Sequence, residues 1–208
     1  TSFSLASSFE RKNPLAAVRA FRQAFGDRAD RLLVLKIAHS DHYPEDMRRL
    51  RDAVAGAANI RVEDRLLPAA DSLALTCCAD IVLSLHRSEG FGLVPAEAML
   101  LGRTVIATDW SATTEFLDRD CALPVSCRLV EAHDPRGVFE APGAVWAEAD
   151  IDGATGALRL AADTPLLRRQ LGRQAVRTAR RLFSGQELAV AYESVRPRAT
   201  RVFGETVA

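Results

Sequence analysis

A glycine loop framed by two carboxylates lies near the middle of the chain and could bind an anion. It runs from Glu89 through Gly90-Phe91-Gly92 to Glu97. Glycine lets a backbone approach a ligand closely, and the free N–H groups at the start of a helix attract negative charge. This combination indicates an anion-binding loop with an acidic side chain at each end.

The two carboxylates could also suggest a glycosidase, in which an acid and a nucleophile act as a pair. Such groups must flank one bond, with the carboxyls about 5–9.5 Å apart. Glu89 and Glu97 instead attach to opposite ends of a loop and a helical turn. The glycosidase interpretation therefore fits the pattern poorly.

A second stretch with binding chemistry is the basic pair Arg11-Lys12. It stands between a predicted strand over 2–7 and a predicted helix that begins at Asn13-Pro14, with asparagine as N-cap and proline as first helical residue. Ligands of open α/β sheets bind at the carboxyl ends of strands. Two solvated surface charges are the alternative, but the presence of the glycine loop favours a role in anion binding.

These stretches require a sheet that brings them to one edge. Residues 79–85 are an apolar run typical of a buried parallel strand, and the helix after the loop is predicted to start at Pro95 and end at Gly102. Further strands are predicted over 32–37, 59–63, 104–108, 122–125 and 129–130, and further helices over 44–57, 68–79, 151–162, from 164 onward and over 187–196. This alternation indicates an α/β fold with a doubly wound parallel sheet.

The spacing from Glu89 to Glu97, with glycines between them, resembles the E-x7-E signature of retaining glycosyltransferases of the two-domain GT-B type, in the group 1 or GT4-like family. The likeness covers about residues 1–185 and is strongest over 7–25 and 79–116. It implies the C-terminal, Rossmann-like half of a GT-B fold. The implied activity is metal-independent, cofactor-free transfer of a hexose from a UDP or GDP type donor to a growing glycan or lipid-linked saccharide.

The same resemblance implies roles for the charged residues. Glu89 would hold hydroxyls of the donor sugar, and Glu97 would accept hydrogen bonds from both ribose hydroxyls. Lys12 would hold the donor diphosphate together with an arginine about five residues earlier. That position is Ser7 in this chain, so Arg11 would be the substitute.

Supporting roles are implied for the loops around the crevice. The donor-binding loop would consist of Gly90, Phe91, Gly92 and Leu93. The amides of its last three residues would stabilise the charge that develops on the leaving diphosphate. A polar turn over 111–114 would lie beneath the phosphates, and His39, which follows a predicted strand, could face the nucleotide.

Two patterns suggest a metal site, and both are weak. Asp118-Arg119-Asp120 matches the D-x-D triplet of another glycosyltransferase fold, but it follows a helix rather than a core strand, and the match recurs over 150–152. The His-Ser-Asp-His stretch over 39–42 lies in one short loop, where no helical spacing makes the side chains converge. We therefore predict no metal ligands.

Composition excludes several classes of protein. With 208 residues, 48% of them hydrophobic, the chain can bury one α/β core. Basic and acidic residues number 27 each, which gives no bulk charge for nucleic acid, and the basic face predicted after residue 164 lacks interleaved aromatic residues. Apolar runs are only strand-sized, so no membrane-spanning helix is predicted. Four cysteines without metal-ligand spacing indicate reduced thiols and a cytoplasmic protein, peripheral at most to the inner face of the membrane.

A single domain over 1–208 is predicted, with a tail over about 184–208 that packs on an N-terminal domain. Because the sequence begins at Thr1 without a methionine, we expect the donor-binding half of a longer protein. The acceptor would then bind to the other half, and the fragment alone would transfer no sugar. A sugar-nucleotide epimerase, a phosphorylase-like half-domain and a non-catalytic nucleotide-binding module stay open as alternatives.

Overall fold

Six parallel strands run through the centre of the protein in the computed structural model, which describes residues 1–186, 189 and 190. They are β1 Ser2–Ser4, β2 Leu33–Ala38, β3 Ile60–Glu63, β4 Ile81–Ser84, β5 Thr104–Thr108 and β6 Leu123–Val125. They pair in two sets, β1-β2-β3 and β4-β5-β6. The Thr1 hydroxyl donates to the Leu83 carbonyl at 2.7 Å, which places β1 beside β4. The resulting order, 3-2-1-4-5-6, confirms the predicted doubly wound sheet.

Helices cover both faces of this sheet. They are α1 Phe9–Lys12, α2 Pro14–Phe25, α3 Pro44–Val54, α4 Ala69–Cys78, α5 Leu93–Leu100, α6 Ile151–Asp163 and α7 Pro165–Leu182. Leu83 and Ile106 belong to a buried cluster with α2, α3 and α6, whereas Val82 and Val105 belong to a second cluster with α5 and α7. Successive strand residues point to opposite faces, so strands buried on both sides need continuous apolar runs.

The connection after β1 differs from the prediction. β1 ends at Ser4, three residues early, because the Ser4 hydroxyl accepts a hydrogen bond from the amide two residues later and starts a 3-10 turn over Leu5–Ser7. The Ser8 hydroxyl then caps α1 by accepting from the Arg11 amide at 3.3 Å. As predicted, α2 begins at Pro14 with Asn13 at its N-cap position, but Asn13 has a φ of +50°, also ends α1, and makes no side-chain capping bond. The basic pair thus lies on α1.

The helix after the glycine loop starts earlier than predicted. Gly92, with a φ of +90°, turns the chain into α5 at Leu93, so Pro95 is the third helical residue rather than the first. A proline is tolerated there because the first four N–H groups of a helix have no intrahelical partner. Glu97 consequently lies beyond the first turn. Gly102 follows the end of α5 as predicted, with a φ of +66°.

An antiparallel pair of strands is absent from the prediction. β7 Cys127–Glu131 pairs with β8 Val145–Ala149. The predicted strand over 129–130 covers part of β7, whereas no strand is predicted from the sequence over β8. The alanines of β8, Ala147 and Ala149, are buried yet have low strand propensity. Because of these alanines, the sequence pattern does not predict β8 as a strand.

The C-terminal part of the chain is only partly described. Most of the last predicted helix, over 187–196, and the tail after it lie outside the described residues. The basic face occurs on α7, except that Arg168 turns inward and donates to the Ala161 and Ala162 carbonyls. Within the described residues, every helix is too short or too polar to cross a bilayer.

Candidate active site

The loops that follow β1 and β4 meet where the strand order reverses. The Arg87 amide donates to the Arg11 carbonyl at 2.8 Å, and the Arg11 guanidinium donates to the Ser88 carbonyl at 2.7 Å. Doubly wound sheets bind ligands in the crevice at this switch point, outside the carboxyl ends of the strands. The basic pair and the glycine loop are therefore joined at the edge where a ligand is expected.

Lys12, Arg11 and Glu89 form one ionic cluster. Lys12 Nζ lies 2.5 Å from Glu89 Oε1, and Arg11 Nη1 lies 3.3 Å from Oε2 of the same carboxylate. Their side chains are 18%, 12% and 10% exposed, so water screens these charges only partly. Since two cations face one carboxylate, the cluster keeps an excess of positive charge that suits a phosphorylated ligand.

Arg11 is held on several sides. Its Nε donates to the Ser7 carbonyl at 3.0 Å, so Ser7, the position where the resemblance implies an arginine, contributes only its backbone here. The Phe139 ring centroid lies 5.0 Å from the guanidinium carbon, within range of a cation–π contact. A guanidinium fixed in this way loses little conformational freedom when it binds an anion.

The glycine loop packs closely against the turn that follows β5. A Cβ on Gly92 would lie 2.6 Å from Thr113 Cγ2. The Phe91 ring contacts those of Phe116 and Phe183, with centroid separations of 5.5 Å in both pairs, a favourable distance for aromatic rings. The loop therefore enters α5 in a fixed conformation, with amides that lack helical acceptors and are available to an anion.

The polar turn predicted over 111–114 contacts the glycine loop directly. It is a 3-10 turn, Ser111–Glu115, and the Ser111 hydroxyl accepts a hydrogen bond from the Glu89 amide at 2.9 Å. Ser111 has a φ of +63°, which is uncommon for a residue other than glycine. Within the turn, the Thr113 hydroxyl donates to the carbonyl of half-buried Trp110 at 3.0 Å.

The loop between β7 and β8 borders the cluster on another side. Asp134 is 2% exposed and accepts hydrogen bonds from the Ser8 hydroxyl at 3.1 Å and from the Val138 and Phe139 amides at 3.2 and 3.3 Å. A buried carboxylate needs such donors to offset its lost hydration. Asp134 thus anchors the loop to the start of α1 and keeps Phe139 beside Arg11.

An ion-pair network holds α1 through the side chain of Glu10. Arg87 lies 3.0 Å from Glu10 and 2.8 Å from Glu148, and Arg49 lies 2.7 Å from Glu10. Most of these side chains are half-buried, so the pairs are better defined than exposed ones. They hold the helix that carries Arg11 and Lys12.

Two other residues named from the sequence lie apart from the ionic cluster. Glu97 is exposed on α5, and within the described chain it makes no ion pair or hydrogen bond through its side chain. His39 follows β2 as predicted, and its Nδ1 lies 2.9 Å from the Ser4 hydroxyl oxygen at the end of β1. His39 lies at the carboxyl edge of the sheet, and Glu97 lies on α5, the helix that starts at this edge.

The first aspartate of each D-x-D match serves local structure. Asp118 accepts hydrogen bonds from the Asp120 and Cys121 amides, and Asp150 caps α6 by accepting from the Asp152 amide. Among the residues that the structure describes, no three His, Cys, Asp or Glu side chains are grouped so that they could hold a metal.

The sequence reasoning missed His86, Ser8 and Asp134. His86 is 1% exposed and lies just past β4. A polar residue directly after a buried strand was the available signal for it. Ser8 and Asp134 are 126 residues apart and contact only through the fold, so no local pattern pointed to them.

A cavity of about 510 Å³ lies at the opposite edge of the sheet. It is lined at the starts of β2 and β4, by residues such as Leu33 and Ile81, and by Phe25. Arg11, Lys12 and Glu89 do not line it. We place the candidate site at the carboxyl edge because the charged groups and free amides lie there.

Known proteins resemble the chain in sequence family and in fold. The family model described as "Glycosyl transferases group 1" matches residues 3–147. No curated protein sequence matches the chain.

Solved structures resemble the chain in fold. A glycosyltransferase from Rickettsia africae superposes with a TM-score of 0.63 at 16% identity, over 88% of this chain and 44% of its own. The C-terminal domain of the group 1 protein LpcC from Francisella tularensis gives 0.60 at 17%, over 85% and 81%. Anabaena HepE, in complex with UDP and glucose, gives 0.63 at 14%, over 88% and 45%. The chain thus spans less than half of the Rickettsia and Anabaena proteins.

Proposed function

The chain belongs to the group 1 glycosyl transferases, and from this premise we propose that it is the donor-binding domain of a retaining hexosyltransferase. The donor is a nucleoside-diphosphate sugar of the UDP or GDP type. The acceptor is a growing glycan or a lipid-linked saccharide, held by an N-terminal domain. The observation that carries the proposal is the contact of Lys12 and Arg11 with Glu89 beside the glycine loop.

Two neighbours support this assignment. The Francisella structure is a C-terminal domain of the same family, and the chain covers most of it. The Anabaena protein was solved with UDP and glucose, the two parts of a sugar-nucleotide donor. Each of the two structures superposes on more than four fifths of the length of this chain.

The chemistry requires stabilisation of a leaving nucleoside diphosphate. Negative charge develops on the diphosphate as its bond to the sugar breaks, and fixed cations and amides lower the barrier most when they are already in place. Lys12 and Arg11 would bind this charge together with the amides of Phe91, Gly92 and Leu93. Glu89 would then exchange its cations for hydroxyls of the donor sugar. In this proposal the side chains and amides supply the positive charge that a metal supplies elsewhere.

Calorimetry of the 208-residue chain with UDP and with GDP tests the proposal. We expect one nucleoside diphosphate to bind with an affinity that excess EDTA does not change, and we expect no sugar transfer by this chain alone. Absence of binding by both nucleotides would overturn the donor-site assignment. Affinity that collapsed in EDTA and returned with Mg²⁺ would overturn metal independence, and turnover of a donor would contradict the need for a second domain.

Glu97→Gln is expected to weaken nucleoside-diphosphate binding roughly tenfold or more, because charge-assisted hydrogen bonds to ribose hydroxyls are lost. Glu97 is exposed and lies beyond the first turn of α5, where the helix dipole is weak. The melting temperature should therefore stay unchanged. Calorimetry and thermal melts measure both quantities, with Glu131→Gln at an exposed site on β7 as the control. A lower melting temperature with unchanged affinity would show that Glu97 is only structural.

A further inference from the structure

His86 occupies a buried position between β4 and the turn after β5. Its Nδ1 lies 3.1 Å from the Ser84 hydroxyl oxygen, and its Nε2 lies 3.3 Å from both the Trp110 carbonyl and the Thr113 hydroxyl oxygen. The residue is 1% exposed. It does not reach a ligand through an open surface, so any part it plays in the site is exerted through its neighbours.

The hydrogen-bond partners assign the tautomer of the ring. The Trp110 carbonyl can only accept, so Nε2 carries the hydrogen, and Nδ1 must then accept from the Ser84 hydroxyl. The Thr113 hydroxyl donates to the Trp110 carbonyl, which leaves its oxygen free to accept from Nε2. The neutral Nε2–H form therefore satisfies all four groups. Burial lowers the pKa of His86, which favours this neutral form.

Trp110 and Thr113, which His86 contacts, lie on either side of a residue with a strained backbone, Ser111. Ser111 lies between Trp110 and Thr113 and has a φ of +63°, a conformation that persists only when its surroundings hold it. The Ser111 hydroxyl in turn accepts from the Glu89 amide at 2.9 Å. A loosened turn would release the backbone of Glu89.

We propose that His86 is a positioning residue, whose buried ring ties β4 to the Trp110–Thr113 turn and so holds Ser111 where it fixes the Glu89 backbone. The role concerns the site of the proposed function, but it can be tested without a ligand. The effect of His86 on the Glu89 amide does not depend on which ligand the site binds. An effect of His86 on nucleotide affinity would rest on the proposed function as well.

Two neutral substitutions distinguish the hydrogen bond donated by Nε2 of His86 from the space that its ring fills. The amide of His86→Gln reaches the position of Nε2 and can donate to the Trp110 carbonyl, whereas the shorter His86→Asn reaches only the position of Nδ1. In hydrogen-exchange measurements on the 208-residue chain, we expect the Glu89 amide to keep its protection in His86→Gln, within about threefold. We expect it to lose roughly tenfold or more in His86→Asn. Ser111→Ala, which removes the acceptor itself, should match the Asn variant.

The pH dependence of the same amide provides a test that needs no poorly folding variant. Lys12 and Glu89 are the charged groups that act on His86, with opposite signs. A lowered pKa means that the contribution of the ring is complete above about pH 6.5 and is lost as the pH falls through the value in the folded protein. After correction for intrinsic exchange, Glu89 should keep its protection at pH 6.5 and lose it only as the pH falls through the lowered pKa of His86, because a charged ring is costly when buried. His86→Gln should show no such loss.

Specific results would overturn the proposal. Equal Glu89 protection in the wild type and in both the Asn and Ser111→Ala variants would show that the turn does not depend on His86. Loss of protection in His86→Gln equal to that in His86→Asn would show that only the ring shape matters. If no nucleotide binds to the wild type while the exchange pattern holds, the proposed function fails and the positioning role stands.

Discussion

Replacing Gly92 with alanine is expected to weaken nucleoside-diphosphate binding by roughly a hundredfold or more. Gly92 has a φ of +90°, and its added Cβ would lie 2.6 Å from Thr113 Cγ2. Thr113 is 1% exposed and its hydroxyl is bonded to the Trp110 carbonyl, so its methyl group cannot turn away without losing that bond. The loop must therefore shift, and with it the amides that would bind the diphosphate.

The same substitution should lower stability. The left-handed backbone costs an L-residue about 1–2 kcal/mol, which corresponds to a drop in melting temperature of roughly 2–8 °C for a chain of this size. Gly90→Ala is the matched control, because nothing lies within 4 Å of its Cβ position and its φ is not positive. Calorimetry and thermal melts compare the two variants. Equal affinities for Gly92→Ala and Gly90→Ala would contradict a role for the loop conformation in binding.

Lys12→Met should weaken nucleoside-diphosphate binding roughly ten- to hundredfold. A charge-assisted hydrogen bond to phosphate contributes about 1.5–3 kcal/mol, and methionine keeps the length of the side chain without its charge. The affinity of the variant should also depend less steeply on salt concentration, because one cation fewer meets the diphosphate. Arg173→Met on the exposed face of α7 removes the same charge elsewhere and serves as the control. If both variants lost affinity equally, only bulk charge would matter.

Glu89→Gln should affect bare nucleotide and intact donor in opposite directions. The Glu89 carboxylate holds both Lys12 and Arg11, so a diphosphate must compete with it for these cations. Without the negative charge, a bare nucleoside diphosphate should bind several-fold more tightly, whereas the sugar donor loses an acceptor for its hydroxyls. Calorimetry measures both dissociation constants. The dissociation constant of the sugar donor, divided by that of the bare nucleotide, should be larger in Glu89→Gln than in the wild type. An unchanged ratio would remove Glu89 from the sugar subsite.

The sheet could be predicted from sequence because its signals are local. The apolar run over 104–108 coincides with β5, and the run over 79–85 contains β4. A strand buried on both faces must be apolar throughout, so the pattern reports the structure directly. The glycine loop could be recognised for a similar reason, since Gly92 occupies a backbone conformation that disfavours other residues.

The supports of the site could not be predicted, because they depend on contacts between distant parts of the chain. Nothing near Asp134 in sequence shows that it anchors Ser8, and nothing near Arg87 shows that it pairs with Glu10 and Glu148. The same holds for Glu89, whose two cations lie more than 70 residues away. The resemblance to a family placed only Glu89, Lys12 and Arg11 together in one site before the fold was known.

Titration of the ¹⁵N-labelled protein with UDP and GDP, followed by NMR, tests the central claim most directly. If the donor binds at the switch point, the largest shifts belong to the amides of Phe91, Gly92 and Leu93 and to the end of α1 around Lys12. Shifts at Leu33 and Ile81, with the glycine loop unchanged, would instead place the nucleotide in the cavity at the opposite edge of the sheet and contradict the account.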